Sequence, residues 1–157
     1  MKLQTQRLII RPCTEEALQE ISTTDEVKIG PHIDMYLDDL KKDPSLIGWG
    51  VWLVLNKEDN KIIGDIGFKG KPNLENTVEV GYGIIASARN KGYATEAVSE
   101  IIKWAFSFEN VERIVAECLK DNHASIKVLE KLQMKRIESD NEMLKWELNR
   151  SSITKDV

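Results

Sequence analysis

A single α/β domain built on a mixed sheet is what this sequence predicts, and three observations predict it. The first is a strand–turn–helix unit from Thr77 to Phe108, TVEVGYGIIASARNKGYATEAVSEIIKWAFSF. The second is a set of short apolar runs before it, separated by polar turns, which reads as an antiparallel meander. The third is a further strand, Arg113 to Cys118, reached only through the helix, which requires a crossover to a parallel neighbour. At 157 residues the chain can bury a real core and makes one domain, placed at 1–150, with a polar, frayed tail after it.

Within the central unit, Val78, Val80, Tyr82 and Ile84 alternate with Glu79, Gly81 and Gly83, the period of a strand. Ala94, Val98, Ile101, Ala105 and Phe108 then recur at helical spacing, with Glu96, Ser99, Glu100 and Lys103 facing away. The turn between them brings Arg89, Asn90, Lys91 and Gly92 to a helix N-terminus. Unpaired N–H groups and the positive end of the helix dipole make that end an anion site, best suited to phosphate. The turn is neither a P-loop nor a dinucleotide fingerprint, because both glycine patterns are absent.

The other elements follow in order. Leu3 to Arg11 reads as one strand, closed by Pro12, which has no N–H to donate. Thr14 caps a short helix bearing Ala17, Leu18 and Ile21, and Asp25 to Gly30 breaks that pattern. A second helix is expected from Ile33 to Lys41. Trp49 to Leu55 is a buried strand, and Ile62 to Lys69 pairs back on it through the polar turn at Asp59-Asn60. Beyond the crossover, Asn122 opens a helix that ends at Leu132, with Val128, Leu129 and Leu132 on its apolar face. Lys135 to Ser139 and Met143 to Leu148 make a final hairpin.

Bulk properties exclude several classes. A net charge of −4 and a pI near 5.3 argue against nucleic acid as the main ligand, while the cationic turn suits one polyanion. No stretch approaches a membrane span or a signal peptide, so the cytoplasm is the expected location. Cys13 and Cys118 lack metal-ligand spacing or a redox partner, and Cys118 reads as a small core residue. His32 and His123 also lack ligand spacing, so no metal is expected. An exposed edge strand is compatible with a homodimer, though no residue demands one.

Arg89-x-x-Gly92-x-Ala94 resembles the pyrophosphate-binding motif of the GNAT superfamily of N-acetyltransferases. Asn90 stands where that family often has glycine, a mild departure because asparagine tolerates a left-handed backbone. The opening Thr5-x-Arg7-Leu8-x-Ile10-Arg11-Pro12 is similar to that of the ribosomal-protein N-terminal acetyltransferase branch. Asn122-x-x-Ser125-x-x-Val128-Leu129-Glu130-Lys131-Leu132 resembles the family's second cofactor motif. Gln133-Met134 replaces the Gly-Phe that often follows that helix, which should alter the turn.

The resemblance implies a sheet splayed after the central strand, with helices on both faces. It also implies direct acetyl transfer from acetyl-CoA, as co-substrate, to a primary amine. The implied cofactor contacts are Gly83, Ile84, Ile85, Arg89, Asn90, Lys91, Gly92, Tyr93, Ala94, Thr95, Asn122 and Ser125, with a backbone N–H near Ile84 or Ile85 holding the thioester oxygen. Asn122 reads equally as a helix cap, and first-turn capping competes with a catalytic role for Ser125. Many members carry a tyrosine acid where this chain has Glu130, so Ser125 is the substitute acid. Glu79 is the candidate base, its alternative being a solvent-facing strand residue. A protein N-terminal amine is the favoured acceptor. A polyamine or antibiotic amine is the alternative, and a non-catalytic CoA-binding regulatory domain is the reading from a different class.

Overall fold

The computed structural model describes residues 1–20 and 30–151. In chain order these form β1 (Leu3–Gln4), β2 (Leu8–Pro12), α1 (Glu15–Glu20), α2 (Pro31–Lys42), β3 (Val51–Asn56), β4 (Ile62–Phe68), β5 (Thr77–Ile84), α3 (Tyr93–Phe106), β6 (Arg113–Leu119), α4 (His123–Lys131), β7 (Lys135–Ser139) and β8 (Met143–Asn149). The predicted third apolar position of the first helix, Ile21, and the break from Asp25 lie outside the described residues.

The strands make one sheet in the order β1-β2-β3-β4-β5-β6-β8-β7. Every described pairing is antiparallel except β5 with β6, which the intervening α3 forces to be parallel. That parallel pairing is short. It joins Thr77 to Arg113, Val78 to Ile114 and Glu79 to Val115, and goes no further. On its other side β5 stays paired with β4 from Val80 to Ile84. The sheet therefore opens on one side of β5 after Glu79, the splay that the family resemblance implied.

Helices cover both faces. On one face α3 buries Ala97, Val98, Ile101 and Ala105 against Trp52, Val54, Ile66 and Val80, with Leu129 of α4 beside them. On the other, Ala17 of α1 with Ile33 and Tyr36 of α2 covers Leu53, Leu55 and Ile62. Alternation along each strand produces this division, because successive side chains leave opposite faces. Cys118 is buried as a small core residue, and Cys13 lies under α1 and α2.

Four local details depart from the sequence reading. Leu3 to Arg11 is two strands, not one: Thr5 N–H donates to the Leu8 carbonyl at 2.9 Å and Leu8 N–H to Thr5 Oγ1 at 3.0 Å, which folds a tight hairpin. Trp49 stands outside β3, because its N–H is taken by the Leu46 carbonyl at 2.8 Å. Gln133 adopts φ 64°, the left-handed conformation that glycine would supply, and Met134 is buried beyond it. The expected change of turn is thus replaced by strain of roughly 1–2 kcal/mol at a non-glycine residue. Arg150 is tethered, its guanidinium donating to the carbonyls of Phe108 and Val111 at 2.6 Å.

Burial, and then the neighbouring Asp65 carboxylate, pushes the Cys13 thiol up from 9.0 to about 11. Burial and then Cys13 push the Tyr36 phenol up from 10.0 to about 12. Both groups stay protonated in the folded chain where the unfolded chain has begun to lose its protons. The unfolded state therefore binds fewer protons between pH 9 and 11, and stability falls as pH rises through that window. The urea midpoint is expected to drop between pH 8 and pH 10.5, and Cys13→Ala to make the drop smaller. An equal drop in the variant would remove Cys13 from the cause.

Candidate functional site

The turn after β5 is built from backbone conformations few residues adopt. Ala86–Ala88 make one 3-10 turn, and Asn90 (φ 63°) and Gly92 (φ 82°) then take the left-handed region on either side of Lys91. Arg89 folds back, its Nε donating to the Ile84 carbonyl at 2.9 Å. No side chain caps α3, so the first amides after Gly92 face outward without a capping partner.

Those amides open on a cleft of about 620 Å³ between the end of β5, the turn, the start of α3 and one face of α4. The cleft lies on the side where β5 has lost its partner β6. It collects most of the residues expected for cofactor contact: Gly83, Ile84, Arg89, Asn90, Gly92, Tyr93, Ala94, Thr95, Asn122 and Ser125. Ile85 and Lys91 are not among its lining residues. Ile85 N–H is engaged by the Ile63 carbonyl at 2.8 Å, and the Lys91 carbonyl accepts from Arg7 Nη1 at 2.8 Å.

Six lining residues were not among the expected contacts; Ala88, Ala124 and Val128 are apolar, and three carry polar groups. Lys127 and Lys131 sit one turn apart on α4 and line the same cleft as Arg89. A chain with net charge −4 thus concentrates cations where the uncapped amides point. The signal was their i, i+4 spacing from each other in the helix opened by Asn122, hidden because lysines on a helix usually read as a solvated face. The third is Tyr82. Strand alternation puts it on the core face, yet it leans on α4, its hydroxyl donating to the Ser125 carbonyl at 3.4 Å. Burial raises its pKa, with the Ser125 contact opposing, so the phenol stays protonated.

Asn122 is a cap and a wall at once. Its Oδ1 accepts from Ser125 N–H at 3.1 Å, and the residue also lines the cleft. Asn122→Ala is expected to cost about 1 kcal/mol in denaturant unfolding, and Asn122→Ser to recover most of it. Equal stability of all three chains would show that the cap contributes nothing. Glu130 is exposed on α4 and does not line the cleft.

Glu79 stands apart from the cleft. It marks the last β5–β6 pair, and its Oε2 lies 2.6 Å from Lys69 Nζ. It leaves the sheet on the face opposite Val80, together with Gly81, Gly83 and, across on β4, Asp65, which pairs with Gly83. Asp65 Oδ1 lies 3.3 Å from His32 Nε2 of α2. Among the described residues no group of three or more His, Cys, Asp or Glu could hold a metal ion, and no helix is long and apolar enough to cross a membrane.

The fold and cleft together define a class: a mixed sheet parted beside its central strand, with an uncapped helix N-terminus facing a cationic space at the gap. Residues 7–135 match the acetyltransferase (GNAT) domain, and the chain belongs to that family of acyltransferases, which use acetyl-CoA as co-substrate. The chain is 39% identical over 100 residues to the uncharacterized N-acetyltransferase YjdG of Bacillus subtilis, covering 64% of this chain and 60% of YjdG. Ribosomal-protein-S5-alanine acetyltransferase from Vibrio fischeri superposes with a TM-score of 0.74 at 16% identity, over 95% of this chain and 96% of that one. The spermidine/spermine N-acetyltransferase SpeG of Vibrio cholerae superposes with a TM-score of 0.72 at 13% identity, over 96% of both chains. These two likenesses carry the fold alone.

Proposed function

We propose that this chain moves an acetyl group directly from acetyl-CoA to a primary amine, with a protein N-terminal amine as the favoured acceptor. One observation carries the reading. The left-handed turn leaves the amides of α3 uncapped, and they face a cleft lined by Arg89, Lys127 and Lys131 at the gap in the sheet. Backbone N–H groups and cations in that arrangement suit the pyrophosphate of a long cofactor. The cofactor's arm is assigned to the part of the cleft walled by Tyr82, Gly83 and Ile84 of β5 and by Ser125 and Val128 of α4.

In the reaction a C–N bond forms at the thioester carbonyl carbon, the C–S bond breaks, the amine loses a proton and the departing thiolate gains one. Ser125, which lines the cleft, is assigned that second proton transfer. The protonated Tyr82 phenol steadies Ser125 from β5. Glu79 is assigned the first transfer, through water, on the far side of the gap. An α-amino group has a reference pKa of about 7.7–8.0 against about 10.4 for lysine, so an N-terminal amine asks less of that base.

A small cationic amine is the second reading, and a specific observation favours it. Asp65 stands across from Gly83 on β4, 38% exposed at its side chain and 3.3 Å from His32 Nε2. That carboxylate could meet the second charge of a diamine.

The experiment is thiol release from acetyl-CoA with the native chain, using peptides with free α-amines, the same peptides blocked at the N-terminus, and spermidine. Turnover with free peptides alone supports the N-terminal reading. Turnover with spermidine alone supports the second. Acetyl-CoA binding without turnover on any amine would leave a cofactor-binding regulatory domain, and absence of binding would overturn the cofactor assignment.

A further inference from the structure

We infer that Arg7, in the turn between β1 and β2, is a positioning residue for the phosphate-holding turn, acting with Glu96 as a clamp that sets the turn before any ligand arrives. The inference rests on the cofactor reading above and adds residues to it that the cleft itself does not contain.

The contacts cross 84 to 91 positions of sequence. Arg7 Nε lies 2.7 Å from Glu96 Oε1, and Arg7 N–H donates to Glu96 Oε2 at 3.0 Å. Thr5 Oγ1 donates to the same Oε2 at 2.5 Å. Arg7 Nη1 donates to the Lys91 carbonyl at 2.8 Å, and the guanidinium carbon lies 4.3 Å from the centre of the Tyr93 ring. A Cβ built on Gly92 would stand 3.3 Å from Arg7 Nη2. One guanidinium thus touches the turn, the first residue of α3 and the carboxylate in its first turn. Only the planar fork of arginine can serve those directions together. Partial burial works to raise the Glu96 pKa, and the hydrogen bonds from Thr5 and Arg7 outweigh it and lower it, so the carboxylate stays charged for the clamp.

The geometry explains what the clamp does. Two left-handed residues within three make a turn that a free chain seldom holds. A trans peptide points its N–H opposite to its C=O. Holding the Lys91 carbonyl toward Arg7 therefore turns the Gly92 N–H away from Arg7. Gly92 lines the cleft, whereas Lys91 and Arg7 do not, so the clamp sits behind the turn and the amide faces the ligand. Ordering this turn in advance lowers the entropy lost on binding. The effect belongs to cofactor affinity and leaves the chemical step alone.

The test is calorimetric titration with acetyl-CoA and steady-state kinetics on the full chain, for the native sequence, Arg7→Ala and Arg7→Lys. Both variants are expected to raise Kd and KM for acetyl-CoA about tenfold, with kcat within about twofold of native. An unchanged Kd in Arg7→Ala overturns the inference. So does native affinity in Arg7→Lys, because charge alone would then suffice. If Arg7→Ala does not fold, Glu96→Gln keeps the volume and removes the charge, and Kd is expected to rise about threefold; no rise overturns the clamp. Backbone amide order parameters at residues 89–93 without ligand give a separate readout. They are expected to fall in Arg7→Lys, and unchanged values count against the clamp even if the native chain proves not to bind acetyl-CoA. That last result would overturn the cofactor reading instead.

Discussion

Gly92→Glu is expected to weaken acetyl-CoA binding by at least about a hundredfold, or roughly 3 kcal/mol. Two effects add. Gly92 sits at φ 82°, where any side chain is strained. The new carboxylate would also stand at the N-terminus of α3, among the amides proposed to hold pyrophosphate. Gly92→Ala separates the two, because it carries the strain of roughly 1–2 kcal/mol without the charge. Calorimetry on the three chains, with thermal unfolding as a control for folding, reads the difference. If Glu and Ala weaken binding equally, charge plays no part at that position. If neither weakens it, the phosphate does not sit at this turn.

Trp52→Ala is expected to be the most damaging single core change, at about 3–5 kcal/mol. Trp52 is fully buried in β3. Its indole Nε1 donates to the Gly48 carbonyl at 2.7 Å, and its ring meets Trp104 edge-on at 5.0 Å between centroids. Trp104 in turn packs on Trp49 at 4.7 Å and on Phe108 at 4.9 Å, so the substitution opens a cavity under α3 and orphans a carbonyl. Single domains are stable by only about 5–15 kcal/mol, so the loss is a large part of the margin. Chemical denaturation followed by circular dichroism measures it. Leu74→Ala, at a fully exposed position, is the comparison and should stay within about 0.5 kcal/mol of native. A loss at Trp52 no larger than at Leu74 would mean that the aromatic cluster does not hold the helix to the sheet.

The contrast between Gly92 and Arg7 shows how far sequence reading reached. Gly92 is legible because its neighbours announce it: a period-two run ends before it and a helical period begins after it. Asn122 is legible for the same reason, since a cap is defined by residues three positions away. Arg7 was legible only as part of the opening string, with no role of its own, because its partners Lys91 and Glu96 lie 84 and 89 residues further on. Tyr82 read as core for a related reason. Alternation assigns it a face but cannot say that β6 leaves that face open beyond Glu79.

The sequence by itself determined most of the elements, the parallel crossover around α3, the glycine-bearing turn before that helix and ten residues of the cleft wall. All of these depend on periodicity, turn chemistry and caps, which act over a few residues. Tertiary structure alone decided where β5 parts from β6, the insertion of β8 between β6 and β7, the turning of Lys91 out of the cleft, the entry of Tyr82, Lys127 and Lys131, and the pairing of Glu79 with Lys69. Those outcomes come from contacts between segments far apart in the chain. Their strength depends on which surfaces meet once the core has closed, and no local pattern encodes it.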